Sequence, residues 1–141
     1  MGWVKKRIIG KRRLSRPKGR LAVTGEIMEK EPRVIVMLGD SQMAYFDGWG
    51  RLDPQAMVIN LGRGGDNTHC VRSRVPEACV LKPRIIFLQA GINDLLQRAT
   101  AGDLARRHQE IWRIVATLAP EARLVVCSLL PVNSKKFVPK E

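Results

Sequence analysis

The chain has 141 residues, 45% hydrophobic and 27% charged, which suits one soluble domain large enough to bury a core. Its formal charge of +12 is unevenly placed: Met1–Arg20 holds nine Lys/Arg and no acid, whereas Leu21–Glu141 holds sixteen basic and thirteen acidic residues. Three scattered cysteines, without Cys-x-x-Cys or ligand-spaced Cys/His pairs, argue against a disulfide framework or a zinc site and favour a reducing, cytoplasmic setting.

The basic arm, residues 1–30, comes first, and the body, residues 31–141, follows. Three readings of the arm stay open: a solvated disordered segment, a contact for nucleic acid or another acidic surface through residues 1–20, or a targeting segment. A secretory signal needs a continuous apolar region, and Ile8-Ile9 is too short for one. Lys6 stands where a myristoylation motif needs Ser or Thr. No apolar run approaches the roughly 18 residues of a membrane-spanning helix.

Four apolar runs then recur. Val34–Leu38 precedes Gly39, Met57–Leu61 precedes Gly62, Ile85–Leu88 precedes Gln89-Ala90-Gly91, and Leu124–Leu130 precedes Pro131. Each is short, rich in β-branched residues and bounded by Gly or Pro, so each reads as a buried strand. Continuous rather than alternating apolar runs suggest strands covered on both faces, as in a parallel sheet. Cys127, inside the fourth run, reads as a small core residue.

Helical patterns separate the runs. Ser41–Leu52 starts helically, but Gly48 and Gly50 make it short or broken. Asp66–Val80 reads as a helix with a weak point at Pro76. Gly102–Ala119 is the clearest: Leu104, His108, Ile111, Trp112, Val115 and Leu118 follow helical spacing, Thr100 or Asp103 caps the start, and Pro120 ends it. The alternation β-α-β-α-β-α-β predicts a doubly wound α/β sheet.

In such sheets ligands bind beyond the carboxyl ends of the strands. Three short blocks fall there. Gly39-Asp40-Ser41 follows the first strand and places Ser41 at a helix start, where its backbone N–H is unpaired. Gly64-Gly65-Asp66 follows the second, where the missing Cβ lets a backbone N–H approach a ligand. Gly91-Ile92-Asn93-Asp94 follows the third, and the Asn93 amide is a neutral donor suited to an oxyanion. Taken singly, each block also reads as a turn with a helix cap. Their successive order at three strand ends is the stronger signal.

These blocks resemble those of the SGNH hydrolase superfamily, the GDSL-like lipases and acylhydrolases. VIVMLGDSQ is similar to its first block, and VINLGRGGDNTHCV to its second, in the branch of platelet-activating-factor acetylhydrolase-like proteins. IIFLQAGINDL is similar to the third, and VVCSLLPV to the fourth strand. The match covers Arg33–Val132, about 70% of the chain. The resemblance implies a three-layer α/β/α, flavodoxin-like sheet. It implies Ser41 as nucleophile, the Ser41 and Gly65 N–H groups and the Asn93 side chain as oxyanion donors, and Asp40 as a turn-holding residue. The implied reaction is hydrolysis of a small ester through an acyl-Ser41 intermediate, without metal or organic cofactor.

The family's Asp-x-x-His block, which supplies the base and its orienting carboxylate after a fifth strand, does not occur up to Glu141. The resemblance therefore implies a C-terminally incomplete member with about four strands, lacking the last strand and helix, and impaired in turnover. A fourth strand left as an apolar edge suggests self-association, and another chain supplying the base in trans is one form of it. A non-catalytic relic or binding module is the alternative function. His69, on the second helix, and His108, on the third, are read as structural rather than catalytic.

Overall fold

The structure, a computed structural model, describes residues 32–131. The basic arm and the residues after Pro131 lie outside the described residues. The elements are β1 (Arg33–Gly39), α1 (Ser41–Ala44), a 3-10 turn (Trp49–Arg51), β2 (Ala56–Gly62), α2 (Thr68–Val80), β3 (Ile85–Gln89), α3 (Ile92–Leu96), α4 (Ala101–Leu118) and β4 (Arg123–Val126). All strand pairs are parallel, in the order β2-β1-β3-β4. These are the first four positions of the flavodoxin-like order, whose switch point lies between β1 and β3.

All four expected strands are present. Beyond Val126 the fourth run leaves the ladder, its last backbone tie being the Cys127 N–H to the Leu88 carbonyl at 2.8 Å, after which the Gln89 side-chain amide donates to the Ser128 carbonyl at 3.3 Å. Cys127 is half-buried, and the cysteine seated in the core is Cys79. The expected 41–52 helix is broken as the glycines suggest, into the single turn of α1 and a separate 3-10 turn. α2 passes through Pro76. α3 is an addition, since the Gly91–Asp94 block reads as loop in the sequence.

Register decides which side chains share a face. Val36, Leu38, Ile86 and Leu88 are fully buried against Val71, Val75 and Ala78 of α2 and Ile111 and Val115 of α4. α4 is set by a reciprocal capping box. The Thr100 hydroxyl accepts from the Asp103 N–H at 3.1 Å, and the Asp103 carboxylate accepts from the Thr100 N–H at 2.9 Å. Its apolar stripe is narrower than the spacing suggests: Leu104, Ile111 and Val115 are buried, while Trp112 and Leu118 are 58% and 51% exposed.

The opposite face presents Ile35, Met37, Val58, Ile85, Phe87 and Val125. Met37 is buried and the others are half-buried. α1 sits on this side, where the Asn60 side-chain amide, in register with Met37, donates to the Met43 carbonyl at 2.9 Å.

Candidate active site

The three blocks meet at the carboxyl edge of β2, β1 and β3. β1 ends at Gly39, packed so closely on β3 that a Cβ there would lie 2.1 Å from the Gln89 carbonyl oxygen. No residue with a side chain fits without moving backbone. Immediately after it, the Asp40 N–H donates to the same carbonyl at 3.2 Å. Asp40 is fully buried and caps α1, with Oδ1 accepting from the Gln42 N–H at 2.9 Å. Burial, with smaller contributions from the charges of Asp66 and Asp94, pushes its carboxyl above the ordinary value. Asp40 thus holds the turn.

Ser41 opens α1 and is half-buried. No hydrogen bond reaches its Oγ or its N–H among the described residues. Because α1 is one turn of four residues, its summed dipole is small. What the turn supplies at this point is the unpaired N–H itself.

The second block leaves β2 through a turn closed by Arg63 N–H to Gly39 O at 3.0 Å and Asp66 N–H to Arg63 O at 3.3 Å. Gly65 has φ +83°, in the left-handed region where glycine carries no Cβ penalty. It is exposed, and no hydrogen bond uses its N–H among the described residues. Asn67 is the N-cap of α2, accepting from the Cys70 N–H at 3.0 Å. That frees Asp66 for a different partner, the guanidinium of Arg74.

In the third block, α3 begins after Gly91 without a side-chain cap. The Asn93 side-chain amide donates to the Asp66 carbonyl at 2.8 Å. This bond joins the second and third blocks directly and leaves the amide's other hydrogen for another acceptor. Asp94, fully buried, anchors the same turn. Its carboxylate accepts from the Thr68 N–H at 2.8 Å, the Thr68 hydroxyl at 2.5 Å and Arg107 at 2.6 Å. One carboxylate thereby satisfies the first N–H of α2 and ties α2, α3 and α4 together.

The structure brings the expected Ser41, Gly65 and Asn93 to one end of the sheet, and the sequence assigns no role to Arg74, Asp94 and Arg107, which hold the turns behind them. Arg74 leaves a signal: it is a cation among Val71, Val75 and Ala78 on the buried side of α2. Leaving one partner of such a buried pair uncompensated costs about 3–5 kcal/mol. His69 is exposed at the start of α2, and His108 is half-buried, its Nδ1 donating to the Leu104 carbonyl at 2.9 Å. Among the described residues, no group of three or more His, Cys, Asp or Glu is placed to hold a metal ion. A cavity of about 550 Å³ opens at the other end of the sheet, lined by Arg33, Lys82, Arg84, Glu121 and Arg123, and touches none of the three blocks.

The model of the GDSL-like lipase/acylhydrolase family matches residues 34–141. The chain belongs to that family. It is 31% identical over 112 residues to the human platelet-activating factor acetylhydrolase IB subunit alpha2, covering 76% of this chain and 48% of that protein. It is 33% identical over 108 residues to the rat alpha1 subunit, covering 73% and 45%. The chain therefore spans about half the length of the curated relatives it matches. Among solved structures it resembles AlinE4, an SGNH-hydrolase family esterase, with TM-score 0.59 and 24% identity over 68% of this chain and 58% of that one. It also resembles TesA, with TM-score 0.60 and 20% identity over 70% and 62%. At that identity the structural likeness speaks for the fold, a flavodoxin-like α/β sheet with four parallel strands among the described residues.

Proposed function

We propose that this family member is a serine ester hydrolase whose acyl-accepting atom is Ser41 Oγ. The observation that carries the reading is the Asn93–Asp66 hydrogen bond, which ties the third block to the second beside the turn that presents Ser41. In the proposed reaction Ser41 Oγ attacks the ester carbonyl. The oxyanion is stabilised by the N–H groups of Ser41 and Gly65 and by the free hydrogen of the Asn93 amide. The alcohol leaves with a proton, and water then releases the acid from the acyl-Ser41 ester. The named activity of the acetylhydrolase relatives favours small acyl or acetyl esters as substrates.

A serine hydroxyl is a weak nucleophile until a base takes its proton. His108 donates its Nδ1 hydrogen to Leu104, and His69 has no hydrogen bond to Ser41. We therefore infer that chain 1–141 turns over slowly, keeping the ~10³-fold over water that oxyanion stabilisation and binding retain without a complete triad. Hydrolysis of p-nitrophenyl acetate tests this. Slow turnover that is lost in Ser41→Ala is expected, and turnover that survives the substitution overturns the assignment of Ser41.

The second reading is a binding pocket without turnover, favoured by the absence of a hydrogen bond to Ser41 Oγ among the described residues. A fluorophosphonate probe separates the two. A covalent adduct on Ser41 supports the nucleophile, whereas ester binding without adduct supports the pocket. For the basic arm we propose contact with nucleic acid or another acidic surface. Salt-sensitive, sequence-independent binding that disappears on deletion of residues 1–20 is the expected result.

A further inference from the structure

We propose that Arg74 is the positioning residue of the oxyanion pocket. Its guanidinium fixes the 63–66 turn against the ends of β1 and β2 and, through Asp66, fixes the side chain of Asn93. The consequence for rate rests on the esterase reading above, while the placement of the donors is testable without it.

The turn that carries Gly65 packs at Gly64, where a Cβ would lie 2.4 Å from the Tyr45 hydroxyl, but not at Gly65 itself. Arg63, Gly64 and Gly65 are all exposed, and beyond its own chain neighbours no heavy atom lies within 4 Å of where a Gly65 Cβ would stand. A donor in such a loop keeps its direction only if something else grips the loop. Asp66 is gripped twice. Its carboxylate receives Arg74 Nε at 3.1 Å and also pairs with Arg74 Nη2. Its carbonyl receives the Asn93 amide at 2.8 Å. The residue after Gly65 is therefore the junction between the cation and the amide donor.

Arg74 is fixed in turn. It is 8% exposed, and its remaining donors reach the Leu61 carbonyl at 2.6 Å and the Gly39 carbonyl at 3.3 Å. Those carbonyls belong to β2 and β1, so the cation is referenced to the rigid sheet. A buried guanidinium is costly unless its donors are used. Here they are used at three segment ends, where an apolar side chain of the same size would fill the space but hold none of them. The planar fork matters: lysine's ammonium does not span a carboxylate and two carbonyls in this arrangement.

The test uses the full 141-residue chain carrying Arg74→Lys and Asp66→Asn. Val71→Ala serves as an α2 variant that lowers stability away from the turn. In Arg74→Lys, kcat on p-nitrophenyl acetate is expected to fall about 10²-fold, as when an oxyanion donor is displaced, with KM changed less than about threefold. Asp66→Asn should show a smaller fall in the same direction, and Val71→Ala no comparable one. In parallel, the NMR signals of the Asn93 side-chain amide should shift, and the Gly65 N–H should exchange faster, in Arg74→Lys but not in Val71→Ala. A folded Arg74→Lys protein with parental kcat or unmoved Asn93 and Gly65 signals overturns the proposal. If the parent chain shows no Ser41-dependent hydrolysis, the esterase reading falls, and the two amide signals still decide the role of Arg74.

Discussion

The two faces of the sheet are built from equally apolar strands and end in different states. Toward α2 and α4, Val36, Leu38, Ile86 and Leu88 lose all contact with solvent. Toward α1, Ile35, Val58, Ile85, Phe87 and Val125 stay half-buried beside a four-residue helix. Helix length accounts for much of this difference. α2 and α4 run 13 and 18 residues and pack on each other across the sheet, whereas one turn of helix covers little more than Met37 and Met43. Covering both faces is what a parallel sheet ordinarily requires. The first face thus holds the sealed core, while the Ser41 turn sits on the second.

Substitutions measure how real the contrast is. Leu88→Ala, on the covered face, should cost about 3 kcal/mol in denaturant unfolding, through lost transfer energy and a cavity. Phe87→Ala, one residue along and pointing to the other face, removes a larger side chain and should cost only about 1–2 kcal/mol. Equal losses would mean that the second face is as well sealed as the first.

The helix caps on the two faces sharpen the comparison with a sign. Asp103, which caps α4 on the covered face, is held down to about 2 from its usual 3.8 by the hydroxyl and N–H of Thr100. Its contribution is present above pH ~3.8 and is lost as pH falls toward 2. Asp40, which caps α1 on the open face, is shifted upward by burial. The folded protein therefore holds its proton more tightly than the unfolded chain, and stability falls as pH rises through the Asp40 titration. Unfolding curves from pH 2 to 7 should show opposite changes: Asp103→Asn flattens the acid loss, and Asp40→Asn raises stability at neutral pH. Parallel changes in the two variants would sink the distinction.

Local patterns made much of this legible in the sequence. The four β-branched runs bounded by Gly or Pro become the four strands, and Thr100 followed by Asp103 marks the start of α4. Gly39, Gly65 and Asn93 are visible because turns and donors have short signatures. What escapes is non-local. Arg74 and Asp66 are eight residues apart, and Asp94 and Thr68 are 26 apart. Their pairing appears only once α2 lies across the sheet. α3 escapes because it is five residues long and starts at a glycine with φ +141° instead of a capping side chain. Trp112 and Leu118 keep the spacing of a buried stripe yet stay exposed, because helical period gives direction but not the width of the neighbour.

The central position of β1 also bears on how the protein is made. It is the first described strand to leave the ribosome, yet its neighbours arrive late. Arg33 pairs with Ala56, 23 residues on, and Ile35 with Ile85, 50 residues on. Until β3 emerges, Val36 and Leu38 have an open edge beside them, and parallel pairings at such separations form slowly. The Ser41 turn is therefore synthesised well before the strand that orients it. A nascent chain arrested before residue 89 would carry the serine and its glycines without the partner strand beside which they are placed.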